Sequence, residues 1–416
     1  MNDERERLSR ELKARSQDVG GHPIGLDQVR QRARGIVWRR RIATGAVAAA
    51  VLAVAVPAGL AATGGTDRGI GPVGPPSPTV TNAAPSPSPS PDQSPTPSPS
   101  PSPTFPAGAV PLTAAGAARG ADPGIIYLDG SVLHNGSMTE QLPAAYRDIA
   151  VYHGGWLALD QQNGDTSVVQ LDQDNHVTST QPGAAGIAVD EAGRTAWFVA
   201  GASGQPGQLV QGIGSGMSNG ESSVPVPPGT VAHPVGFAGP GLVYDTDGTH
   251  PQVFVTDFSG SQPTPVPGAL KAGGTSVATN RISVLTKVTD AGSCWAVVDT
   301  SGKPDWSTCD YTLGQFSLDG KYVAAYPAYF DGLGPSSVTI LDAHTDKPVA
   351  DFQRPLSSDL YVYDVAWEDD THLLAVVHEN GAWQILRLGT DGSLEAASPA
   401  VPGGDSSCPF FFAARP

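Results

Sequence analysis

Two hydrophobic patterns divide the chain. The first is Ile42 to Thr63, a run of 22 residues without a charge (IATGAVAAAVLAVAVPAGLAAT). A helix of that length spans roughly 30 Å, the thickness of a bilayer core, so 42–63 is expected to be a transmembrane helix. The second pattern fills residues 121–416, where short apolar strands alternate with Gly, Asp and Asn turns. Strand–turn–strand segments start at Ile149, Ile187, Val235, Ser276, Gln315 and Asp364, at spacings of 38, 48, 41, 39 and 49 residues. Each continues into a further apolar strand, as in TSVVQLDQDN, PQVFVTDFSG and SVTILDAHTDK. Four short strands every 40 to 45 residues, with no amphipathic helix between them, predict the blades of a β-propeller.

Charge sets the expected topology. Residues 1–41 hold 11 Lys/Arg and 6 Asp/Glu, whereas the whole chain carries −16. Arg39, Arg40 and Arg41 abut the apolar run, and only Arg68, beside Asp67, lies close on its other side. That asymmetry places the N-terminus in the cytoplasm and the bulk of the chain outside. A cleaved secretion signal competes with this reading, because Ala61-Ala62 offers a small-residue cleavage site. The charged region of 41 residues ahead of the run favours an uncleaved anchor. Within 1–41, Leu26, Val29, Ala33, Ile36 and Val37 form a basic amphipathic face suited to anionic headgroups, or to a cytosolic partner if the segment signals. The acidic remainder repels phosphate, which argues against nucleic-acid binding.

Between anchor and strands, Pro85 to Pro103 carries 9 prolines in 19 residues. Such a tract forms neither helix nor sheet and extends as polyproline II. Residues 64–120 are therefore expected to be a disordered Pro/Ser/Gly-rich linker. The expected layout is 1–41 cytoplasmic, 42–63 membrane, 64–120 linker and 121–416 extracellular propeller.

Phe316-Ser317-Leu318-Asp319-Gly320-Lys321-Tyr322-Val323-Ala324-Ala325 resembles the F-S-P-D-G-K-x-hydrophobic-A repeat of TolB-like and WD-repeat-like propellers, with Leu318 where the repeat has Pro. Asp319 and Gly320 would form the blade turn. Ile340-Leu341-Asp342 and Val255-Thr256-Asp257 resemble the closing strands of such blades. With the anchor and spacer, the chain resembles actinobacterial membrane-anchored proteins of this kind. The resemblance covers residues 121–416 and implies the fold; it is nearly silent on activity. The six starts give six blades. Gly124–Pro143 adds a hairpin and Ser407–Ala414 a single strand, so the first and last segments are expected to share a seventh blade, hiding both edges. Six or eight blades remain alternatives.

Cys294 and Cys309 flank a hairpin whose turn is Ser301-Gly302-Lys303-Pro304. Cross-strand positions lie within bridging range, and a bond would persist outside the membrane. A disulfide is expected there, with Cys408 as a buried thiol or as an alternative partner.

Candidate chemistry is thin. His134, His153, His176, His233, His250, His344, His372 and His378 form no metal-ligand pair such as H-x-H or H-E-x-x-H. Asp172-Gln173-Asp174-Asn175 lacks the Gly and distal Glu of a calcium loop and reads as a hairpin turn. Asp290-Ala291-Gly292-Ser293-Cys294-Trp295 matches an Asp box, a structural motif, but with Val288 where the box has Ser or Thr. Gly216-Met217-Ser218-Asn219-Gly220 spells a nucleophile elbow, yet no helical pattern follows it. Asp369-Asp370 reads as an acidic turn. No catalytic, metal or cofactor residues are assigned. The expectation is a non-catalytic, membrane-tethered module that binds a protein, peptide or cell-wall glycan. The alternatives are a propeller hydrolase or lactonase using channel carboxylates, and signalling through the N-terminal helices.

Overall fold

The computed structural model describes residues 108–415 except 163–164, 214–219, 249, 261, 291 and 331. The expected cytoplasmic segment, the span 42–63 with Arg39–Arg41, and the proline tract lie outside the described residues. Among the described residues, every regular element is a strand and no helix is long and apolar enough to cross a membrane.

The strands form seven sheets that follow one another around a ring. Blade 1 is shared by the two ends of this region. Phe410–Phe412 supplies its innermost strand, and Tyr127–Asp129, Val132–Asn135 and Met138–Gln141 supply the other three. The pairing Tyr127↔Phe412, Leu128↔Phe411 and Asp129↔Phe410 closes the ring. The remaining blades begin with the inner strands Asp148–Tyr152, Ala184–Val189, Ala232–Ala238, Lys271–Ser276, Tyr311–Phe316 and Tyr361–Trp367, each followed outward by its next three strands. The expected sharing of one blade is thus observed, and the count is seven.

One apolar core lies at each junction between neighbouring blades, seven in all. This explains the strand patterns. A middle strand such as His372–Glu379 is buried along nearly its whole length, because both of its faces meet a neighbouring sheet. An outermost strand such as Val177–Pro182 is almost entirely exposed. A strand buried on both faces loses the alternation of a half-buried one and reads as a continuous apolar run.

Three expectations need correction. Ser276 and Gln315 lie at or near the ends of inner strands, not at their starts. The inner strand Lys271-Ala272-Gly273-Gly274-Thr275-Ser276 carries no large apolar side chain, so a hydrophobic pattern passes over it. The reason is steric: a Cβ on Gly273 would sit 2.1 Å from the Leu313 carbonyl oxygen, and one on Gly274 would sit 2.6 Å from the Gln315 Cα. The inner strands of blades 5 and 6 approach so closely that only glycine fits. Next, the segments ending in Asp342 and Asp257 are third strands, not closing ones. Each aspartate opens the following turn; Asp342 Oδ1 accepts the amides of His344 (3.0 Å) and Thr345 (2.9 Å). Last, Gly124–Pro143 holds three strands where one hairpin was expected.

The described structure also begins ahead of residue 121, within the stretch 64–120 expected to be a disordered linker. Val110–Pro111 pairs in parallel with Pro348–Gln353 as a fifth strand on the rim of blade 6. Leu112 is fully buried in the core between blades 6 and 7. Glu379, itself buried, accepts the Ala114 amide (2.7 Å), the Ala115 amide (3.2 Å), the Thr113 hydroxyl and the Ser358 hydroxyl. Further on, Arg119 bridges to Ala396 on the outer strand of blade 7. Arg387, paired with Glu368 and Glu395, donates to the carbonyls of Ala121 and Asp122 (both 3.2 Å). Residues 110–124 thus form a strap across blades 6 and 7 that leads into blade 1.

Candidate functional site in the central channel

The inner strands surround a channel with two unlike sides. The inner strands of blades 4 and 5 carry Gly236, Gly273 and Gly274, where a Cβ would run into the inner strand of the next blade. Blades 2 and 7, on either side of blade 1, each place one carboxylate on the other side. Asp148 is the first residue of the inner strand of blade 2. Asp364 follows a register shift between Val362 and Asp364 in the inner strand of blade 7. Such a bulge re-aims a side chain. The inner strand of blade 1 runs between these two blades.

Each carboxylate accepts the amide of its own following residue, Ile149 and Val365 respectively, at 2.9 Å. Blade 1 serves both: the Phe412 amide acts on Asp364 and the Ala414 amide on Asp148, with the Ile187 amide of blade 3 adding to the latter. Asp148 keeps only partial solvent contact along the channel while protein surrounds it. Burial dominates its titration and pushes its pKa up to about 8, with the charge of Asp364 adding to the rise. Burial likewise raises Asp364 to about 6, against the lowering effect of the two amides. Tyr326, beside Gly314, is raised by burial and then by the Asp364 charge. Arg147 stacks its guanidinium over the Phe411 ring (4.8 Å) and donates to the Tyr363 hydroxyl (3.2 Å). Burial thus holds both carboxyls above the usual carboxylate range, Asp148 further than Asp364. Such a pair can give or take a proton, or bind polar groups by hydrogen bonds.

The residues singled out from the sequence lie elsewhere. Asp319 and Gly320 form the turn between the first two strands of blade 6: Asp319 Oδ1 accepts the Ser317 hydroxyl (2.8 Å) and the Lys321 amide (3.0 Å), and Gly320 has φ 72°. Cys294 and Cys309 are joined by a disulfide with their Cα atoms 4.0 Å apart, linking the third and fourth strands of blade 5. Cys408 precedes the closing strand, half-buried, and donates to the Phe410 carbonyl (3.2 Å). Asp172, Asp174 and His176 gather ligand-type atoms within 4.8 Å of one another. Asp172 Oδ1 is nevertheless engaged by the amides of Asp174 (2.9 Å) and His176 (2.8 Å), which is the geometry of a hairpin turn. Asp290 and Gly292 turn between the second and third strands of blade 5, and Trp295 enters the core between blades 5 and 6. Asp370 accepts the Asp319 amide across blades (2.9 Å). His233 contacts Asp247 (2.9 Å), His372 contacts Asp369 (2.9 Å) and His378 contacts the Gly403 carbonyl (3.0 Å). Ser218 of the elbow-like motif lies outside the described residues.

The sequence reading did not single out Asp148, and took Asp364 only as the start of a strand. A signal existed for Asp364, which is one charge within the apolar run Tyr361-Val362-Tyr363-Asp364-Val365-Ala366-Trp367. Asp148 stands at a strand end beside Arg147 and looks like any polar boundary residue.

Strand order and ring closure define an all-β, seven-bladed propeller. No protein-family model matches the chain, and no curated protein resembles it in sequence. Among solved structures it is similar to Hsv2 of Kluyveromyces lactis, at 12% identity over 65% of this chain and 97% of that one, with a TM-score of 0.42. It is also similar to the WD40 propeller domain of Doa1 (10% identity, 67% and 86%, TM-score 0.40). A third similar structure is the apocarotenoid oxygenase of Synechocystis (10% identity, 71% and 90%, TM-score 0.44). Likeness of this degree adds nothing to what the strand order establishes.

Proposed function

We propose that the protein is a single-pass membrane protein with a cytoplasmic N-terminus, whose extracytoplasmic propeller acts as a non-catalytic binding module for a protein, peptide or cell-wall ligand. The observation that carries this reading is the strap. It fixes where the chain leaves the ring, on the rim of blades 6 and 7, and so lets a tether present the two loop-bearing ends of the propeller. The uncharged run 42–63 and the proline tract supply the anchor and the spacer. Protease added to intact cells should remove the propeller and spare residues 1–41, and crosslinking on intact cells should capture a ligand outside the membrane. Protection of the propeller from external protease refutes the topology. Failure of capture in cells that display the propeller refutes the binding role.

A second reading has its own support. Two channel carboxyls with separated pKa values are a feature of acid–base enzymes. If the protein is a hydrolase or lactonase, turnover of a lactone or glycoside is lost in both Asp148→Asn and Asp364→Asn. Equal turnover in both variants and the wild type removes the channel from the chemistry.

A further inference from the structure

The outer strand of a blade offers a row of backbone N–H and C=O groups, and such an edge recruits further strands unless it is blunted. Among the described residues, six of the seven outer edges are blunted. Met138–Gln141 of blade 1 carries Glu140, and Ser222–Val226 of blade 3 carries Pro225. Thr264–Pro265 of blade 4 is two residues long, and Pro304–Thr308 of blade 5 opens on Pro304 and Asp305. Blade 6 is covered by Val110–Pro111 of the strap. Leu394–Ala396 of blade 7 is three residues long, contains Glu395 and is bridged by Arg119.

Blade 2 differs. Its outer strand, Val177-Thr178-Ser179-Thr180-Gln181-Pro182, holds six residues with no charge and no proline before the last. It is exposed at every position but Ser179, and no strand lies outside it. A register shift leaves Thr178 unpaired, so the regular part of the edge is Ser179–Pro182. Blade 6 shows what such an edge takes. Its outer pair also has a register shift, at Ile340 and Leu341, and the strap pairs beyond it, at Phe352 and Gln353. An extended segment added along a blade edge is thus a contact this ring already makes. Beside the start of the blade 2 edge, the turn that leads into it carries Asp172 and Asp174, the latter exposed.

We propose that the outer edge of blade 2 docks an extended peptide segment of a partner protein, which adds to the blade as a fifth strand. The inference rests on the binding-module reading and names its partner class. Main-chain hydrogen bonds supply the affinity in this mode, and side chains flanking the strand supply the selectivity. Opposite Ser179, Thr180 and Gln181 the segment is uncharged and rich in Thr, Ser or Val, because hydroxyl and β-branched side chains pair well across strands. Where it passes Asp172 and Asp174 it carries a basic residue, since that turn is the charged feature next to the edge. A second copy of this chain is a poorer occupant: each copy carries −16, and like charge opposes association.

The test uses the full chain and three synthetic peptides: Lys-Thr-Val-Thr-Val-Thr-Lys, the same peptide with every Thr and Val N-methylated, and Glu-Thr-Val-Thr-Val-Thr-Glu. Binding is read by fluorescence anisotropy, and its place by amide hydrogen exchange. The lysine peptide is expected to bind and to slow exchange within residues 179–181, with the outer strand of blade 5 unchanged. N-methylation removes the backbone donors and should weaken binding about tenfold. The glutamate peptide should bind about fivefold more weakly than the lysine peptide, and Asp174→Asn should weaken the latter about threefold without altering the melting temperature. Absence of binding overturns the docking site and leaves the module reading to its own capture experiment. Equal binding of the N-methylated peptide, or slowed exchange elsewhere on the ring, also overturns it. Protection of residues 179–181 in the chain alone, rising with its concentration, overturns the peptide and assigns the edge to a second copy.

Discussion

At the scale of single residues, the ring changes what a side chain can do by surrounding it. Asp148 sits where three inner strands meet, and its pKa of about 8 lies far above the ordinary 3.8. The folded state therefore holds a proton that the unfolded chain has already released. Between roughly pH 4 and pH 8 the unfolded chain binds fewer protons, so stability falls as pH rises through that window. Asp364, raised to about 6, adds to the fall over its lower half. Asp148→Asn removes the larger contribution. Relative to wild type, the variant should gain on the order of 4 kcal/mol between pH 5 and pH 9, read from urea unfolding at each pH. A difference that stays flat with pH would show that Asp148 titrates normally. Residue chemistry was only partly legible in the sequence. A charge inside an apolar run betrays burial, as at Asp364, whereas a charge at a strand end does not, as at Asp148. Convergence on a channel is a property of three blades, and no local pattern encodes it.

At the scale of elements, strands that pack on both faces were read with little difficulty, because Val, Ile, Leu and aromatic residues cluster in them. The inner strand of blade 5 was misplaced because close approach demanded glycine where a pattern search seeks bulk. The strap was hidden for a related reason. Val110-Pro111-Leu112-Thr113-Ala114 has one large residue pointing inward and borrows the rest of its stability from Glu379 and Arg387, which lie far along the chain. Leu112→Ala should cost about 2–4 kcal/mol, seen as faster amide exchange at Ala114, Ala115 and Gly120, with blades 2 to 5 unchanged. Exchange that quickens uniformly around the ring would mean that the strap is not a separate unit. The hairpin in blade 5 was fully legible, since its cysteines flank a recognisable turn. Their disulfide closes a loop 15 residues apart in sequence. Replacing both cysteines with alanine should lower the unfolding free energy by about 3 kcal/mol in the loop-entropy account, measured by denaturant titration without reductant. No change would mean that strain in the native bridge cancels the entropic gain.

At the scale of the whole molecule, the sequence showed the period and the shared blade, because short strands need neighbours and a ring needs closure. It did not show that the inner strands of blades 4 and 5 close on their neighbours at glycine while those of blades 2 and 7 carry acids. Closure rests on three paired residues, Phe410, Phe411 and Phe412, all buried between blades. Truncation after Pro409 exposes Tyr127–Asp129 as a raw edge and empties part of two junction cores. Calorimetry should then show loss of the single cooperative transition, with aggregation through the open edge. A truncated chain that melts like wild type would mean that the other junctions hold the ring unaided.

Mechanical order follows from the strap's position in the chain. Force applied from the amino end reaches Val110 first and must strip Leu112, Glu379 and Arg387 from their contacts before it loads the first strand of the ring clasp. Fifteen residues then pay out as roughly 50 Å of slack. The rim of blade 6 would act as a sacrificial link, so that the amino end of the described chain lengthens before the ring breaks.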